Sequence, residues 1–92
     1  GPIPLEVQHY TPYSGAISVA SRNPAAAEKL IEKALAANPE QSAYLDTMAE
    51  IQFVRGNRDK ALEWSQRAVN FMPLDVMLRR QHERFRSSPL PR

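Results

Sequence analysis

From Asn23 onward the hydrophobic positions of the chain recur at steps of three and four, the spacing of one face of a helix. Within 24 to 38, Ala27, Leu30, Ile31, Ala34 and Leu35 fall on one stripe. Asn23-Pro24 supplies an N-cap followed by a first-turn proline, and Asn38-Pro39 ends the run. A second helix over about 42 to 55 carries Tyr44, Leu45, Met48, Ala49, Ile51, Phe53 and Val54. That is more than one stripe holds, so it predicts neighbours on two sides, and Gly56 is placed to terminate it. A third helix over about 58 to 71 has Ala61, Leu62, Trp64, Ala68, Val69 and Phe71 before Pro73 stops it. A fourth, about 75 to 87, sets Met77, Leu78 and Phe85 on one side and arginines over most of the rest.

Ahead of Asn23 the pattern predicts less. Thr11-Pro12 suits the start of a short helix over 12 to 21, although Ser, Gly, Ile and Val lower its propensity. Residues 1 to 11 read as an irregular segment or a short strand, and 88 to 92 as a tail.

An offset of 34 superposes Asn23 on Asn57, Ala27 on Ala61, Lys33 on Arg67, Ala34 on Ala68 and Pro39 on Pro73. Small residues seven apart on one helical face let two helices approach closely, and the prolines set connections of fixed length. With Ser42 as position 1, Leu45, Met48, Ala49, Gly56, Ala61, Ala68 and Pro73 fall at positions 4, 7, 8, 15, 20, 27 and 32. On these residues the chain resembles the tetratricopeptide repeat family, a 34-residue helix-turn-helix unit. With Gln8 as position 1, Gly15, Ala27, Ala34 and Pro39 also match, whereas Thr11 and Ser14 stand where large apolar residues belong. The wording of 43 to 64 is similar to the last repeats of many bacterial members. The resemblance implies an all-α fold: two repeats over 12 to 73, the first degenerate, a capping helix over 74 to 87, and together a fragment of a right-handed superhelix.

Composition narrows the chemistry. With 92 residues, 42% of them hydrophobic and 24% charged, the chain is expected to form one small globular domain. No apolar run reaches the ~20 residues of a membrane span. Residues 1 to 7 lack a basic start followed by an apolar core, so no secretory leader is expected. A soluble, cytoplasmic protein is the expectation, the compartment itself staying open. The absence of cysteine removes thiolate catalysis and cysteine-bearing zinc sites, and two histidines, His9 and His82, give no metal site without carboxylates. There is no nucleophile elbow, no HExxH and no glycine-rich phosphate loop. Neither an enzyme, a cofactor nor a metal is therefore expected, and Asn57-Arg58-Asp59 reads as a turn capping the third helix rather than a cation site.

The family resemblance implies a ligand groove lined by the first helix of each repeat. Carried over, it offers His9, Pro12, Ala16 and Val19, then Ala43, Asp46, Glu50 and Phe53, then Met77, Arg80 and Arg84. Helical spacing independently puts 46, 50 and 53 on one face, and 77, 80 and 84 on another. Asp46 and Glu50 either pair with Arg80 and Arg84 or stay open to a basic peptide. Phe53 is the expected interface aromatic, the alternative being contact with Tyr13 or the N-terminal segment. Trp64 is expected in the packing. The chain carries 7 Lys/Arg against 9 Asp/Glu up to residue 75, and 5 Arg against Glu83 beyond it. The cluster Arg79, Arg80, Arg84 and Arg86 is thus a solvated capping face, or else a site for phosphate, anionic lipid or an acidic partner.

The resulting expectation is a non-enzymatic protein interaction or assembly module that takes a protein or peptide in the groove, with Asp46, Glu50, Phe53, Arg80, Arg84 and Val19 reading the partner. One alternative is an accessory or regulatory domain of a larger enzyme, and another is a basic C-terminal helix that binds nucleic acid or lipid. Two repeats are fewer than a stable stack usually needs. The N-terminal side should therefore be covered by upstream sequence, by residues 1 to 11, or by a second copy in a homo-oligomer.

Overall fold

In the computed structural model, residues 23–91 are described, and among them the chain forms four helices and no strand. These are α1 (Pro24–Ala37), α2 (Ser42–Val54), α3 (Arg58–Phe71) and α4 (Val76–Ser87). The short helix expected over 12 to 21, the segment 1 to 11, and with them His9, Pro12, Gly15, Ala16 and Val19, lie outside the described residues.

Helix boundaries follow the local chemistry. The Asn23 side chain accepts from the Ala26 amide at 3.2 Å with Pro24 in the first turn, as its sequence position suggests. Asp75 does the same for α4, accepting from the amides of Met77 and Leu78. Gly56 follows α2 at φ 84°, where the Gly56 amide donates to Phe53 O and the Asn57 amide to Gln52 O. This pair of bonds is a Schellman closure, and its left-handed residue favours glycine. Asn57 departs from expectation: its side chain makes no capping bond and instead donates to Gln52 Oε1 at 3.0 Å.

Consecutive helices are antiparallel. Glu28 near the start of α1 bonds Arg55 and Gln52 at the end of α2, and Arg58 at the start of α3 donates to Phe85 O and Arg86 O at the end of α4. Arg58 thereby satisfies carbonyls that the last turn of α4 leaves open. α2 touches the three other helices, which explains its two apolar faces. One side joins Leu45, Met48 and Ile51 to Ala27, Ile31, Ala34 and Leu35 of α1 and to Ala68 and Leu78; the other joins Ala49 and Phe53 to Ala61 and Phe85. Ala27, Ala49, Ala61 and Ala68 have no exposed surface, so a larger side chain at any of them would push helices apart.

Met77 and Phe71 depart from the expected stripes. Leu78 and Phe85, seven apart, form the buried edge of α4, while Met77 is 70% exposed because it sits a further ~100° round the helix. Phe71, in the last turn of α3, is 44% exposed. Trp64 is half-buried and packs against both clusters, with the Arg67 guanidinium 4.6 Å from its ring centroid.

Candidate partner-binding site

Asp46 and Glu50 project from α2 one helical turn apart, and Arg84 reaches them from α4. Arg84 Nη2 pairs with Glu50 Oε2, Gln81 Nε2 donates to the same oxygen at 3.3 Å, and Arg84 Nε donates to Gln81 Oε1 at 2.9 Å. Beneath this triangle Phe53 and Phe85 meet with ring centroids 5.2 Å apart, and the guanidinium carbon of Arg84 lies 5.2 Å and 4.7 Å from the two. A guanidinium held by both a carboxylate and two aromatic faces has little freedom left. The charged surface between α2 and α4 is thus arranged before any ligand arrives.

Asp46 is the exception in this network. Its Oδ1 is buried without a hydrogen-bond partner. Burial, chiefly, and then the neighbouring charge of Glu50, with a contribution from Asp75, push its pKa from 3.8 up to about 6 against the pull of Arg84. A carboxylate so placed is under-satisfied, and since Oδ1 itself is closed to solvent the strain stays within the fold.

The structure divides the expected residues. It brings Asp46, Glu50 and Arg84 together, and the Glu50–Arg84 pair forms as anticipated. Arg80 does not join them: it makes no ion pair among the described residues and lines a groove between α3 and α4. Phe53 requires a correction as well. It is 4% exposed, because Phe85 covers its ring from one side and Arg84 from another, so it supports the surface rather than presenting itself there.

The α3–α4 groove, about 470 Å³, is lined by Val69, Val76, Arg79, Arg80, His82 and Glu83. Of the arginine cluster, Arg84 is committed to Glu50, and Arg86 bonds Glu83, which holds the Glu83 carboxyl below its ordinary pKa. Arg79 and Arg80 make no ion pair among the described residues.

Beside this groove Ser65 Oγ lies 2.6 Å from His82 Nδ1 and 3.2 Å from Leu62 O. With the hydroxyl donating to Leu62 O, the pair requires His82 to carry its proton on Nδ1. Ser65 is only 1% exposed, which leaves no approach for a substrate carbonyl, so the bond joins α3 to α4 instead of activating a nucleophile. Sequence reading overlooked this pair, yet a signal existed. Ser65 and His82 stand 34 residues after Ile31 and Met48, so they mark where the apolar pattern turns polar. The Glu28–Arg55 and Arg58–α4 contacts had no such signal, since periodicity is blind to where a long side chain folds.

Among the described residues, no three His, Asp or Glu groups converge to hold a metal ion, and no helix is long and apolar enough to cross a membrane. Comparison of the chain with family models, curated proteins and solved structures gave no match.

Proposed function

We propose that the protein is a non-enzymatic interaction or assembly module that reads a protein or peptide partner on the surface between α2 and α4. The observation that carries this reading is the fixed, part-exposed Glu50–Arg84–Gln81 network, set beside the strained carboxyl of Asp46 and held on the Phe53–Phe85 pair. Such a surface is preorganised, which lowers the ordering cost of binding, and the part-exposed Glu50 and Arg84, with the carboxyl of Asp46 behind them, present charge to a lysine, an arginine or an acidic group of the partner. The tetratricopeptide arrangement belongs to the same proposal. It rests on the 34-residue recurrence of the chain, in which Ala27 and Ala61, then Ala34 and Ala68, are buried as equivalent pairs.

Affinity capture with wild type, Asp46→Asn, Glu50→Lys and the remote Lys60→Glu tests this reading. The expected outcome is a polypeptide retained by wild type and Lys60→Glu but lost from the other two, with circular dichroism showing all four folded. Retention of the same polypeptides by all four variants would rule this surface out.

A further inference from the structure

The 34-residue offset sets α4 against α2 position by position, and the comparison exposes a changed surface. Leu45, Met48 and Ala49 of α2 belong to buried clusters that include Ala61 and Ala68 of α3 along with residues of α1 and α4, so this side of α2 is covered by other helices. Their equivalents on α4 are Arg79, His82 and Glu83, and these line the α3–α4 groove. Leu35, buried on α1, has Val69 as its equivalent on α3, and Val69 is in the same groove. Among the described residues α4 packs mainly on α3 and more lightly on α2. The groove therefore has the site of a docked helix, with the apolar contacts of α2 rewritten in polar form.

What is left in it defines the chemistry that fits. Val69 and Val76 provide an apolar strip, and Met72, Leu74 and Met77, near Val76 in the sequence, are all exposed. Glu83 is bonded to Arg86, which leaves Arg79 and Arg80 as the charges of the groove with no ion pair among the described residues. A helix that met only apolar surface here would desolvate those two arginines without compensation, whereas carboxylates on its polar edge would meet them.

We propose that the α3–α4 groove docks an acidic amphipathic helix of a partner protein, its carboxylates on Arg79 and Arg80 and its apolar edge on Val69 and Val76. This surface is separate from the one around Asp46, and either can fail without the other. Two carboxylates a turn apart on the incoming helix, at i and i+4, would span the pair of guanidinium groups.

The test uses the full chain and three fluorescently labelled peptides of about 18 residues, long enough for a helix of about 27 Å. They share one leucine pattern and carry Glu, Gln or Lys along the polar edge; a single-stranded oligonucleotide of similar length is the fourth probe. Anisotropy titrations at low and high salt should show the Glu peptide binding most tightly and weakening with salt. Arg79→Glu/Arg80→Glu should weaken it about tenfold or more, and Arg79→Gln/Arg80→Gln by a smaller factor in the same direction. Asp46→Asn should leave the Glu peptide unaffected. Equal binding of the Glu and Gln peptides, no binding by any peptide, or indifference to the arginine variants would overturn the proposal. So would tighter, arginine-dependent binding of the oligonucleotide, which would assign the groove to nucleic acid.

Discussion

Asp46 shows how a single buried carboxyl can carry a stability cost. Its pKa is about 6 in the folded protein and 3.8 ordinarily, so between these values the folded state binds more protons than the unfolded. Stability is then greatest below the lower value and falls as pH rises through the folded one. Asp46→Asn should flatten the decline between about pH 4 and 6 and, allowing for solvent screening, stabilise the protein at pH 7 by about 1 kcal/mol. Urea unfolding at several pH values checks this; an unchanged pH profile would show that the carboxyl is not strained in the free protein. Trp64 presents the opposite case. It packs against both core clusters and yet keeps a partly exposed edge beside Arg67. Trp64→Ala should cost about 3 kcal/mol in urea denaturation, near the low end for an aromatic truncation, because the site is open to water on one side.

At the scale of the helices, the connections are as informative as the packing. Gly56 has nothing within 4 Å of where a Cβ would stand, so Gly56→Ala tests the φ of 84° free of steric conflict. A loss of about 1 to 2 kcal/mol is expected from thermal unfolding, and a neutral result would mean that the turn relaxes to another conformation. Gly56, the two asparagine–proline steps and the 3.6 period made all four described helices legible to within a residue or so of their ends. Those signals are local: they depend on backbone angles and on which residues share a stripe. The site was less legible. Helical spacing correctly put Asp46 and Glu50 on one face, but it also put Phe53 there, because spacing cannot say that Phe85 arrives from α4 to cover it. Arg80 and Arg84 likewise share a stripe, yet they belong to different surfaces, since α4 lies between the α2 face and the α3 groove. Which side of a helix meets which neighbour is a tertiary fact, and four residues of spacing are too coarse to contain it.

For the whole molecule, the question is what the polar lining of the α3–α4 groove does. Along the chain, Ile31 and Met48 share one core cluster, while their equivalents Ser65 and His82 are joined by a hydrogen bond, and Leu45 gives way to Arg79. Ser65 and His82 satisfy one another, whereas Arg79 replaces a contact that any apolar helix could satisfy with one that demands a polar partner. On the proposed repeat arrangement, an apolar helix laid on this side of α4, such as the edge of a second copy, would meet a desolvation penalty at Arg79. Restoring the α2 pattern on α4 with Arg79→Leu/His82→Met/Glu83→Ala should remove it. Ser65 keeps its bond to Leu62 O in that variant, so no hydroxyl is left stranded. In sedimentation velocity the triple variant should self-associate at concentrations where wild type shows a smaller species, and the added association should persist at high salt because it is apolar. If the variant is folded and sediments like wild type at every concentration, the polar lining of the α3–α4 groove is not what limits self-association.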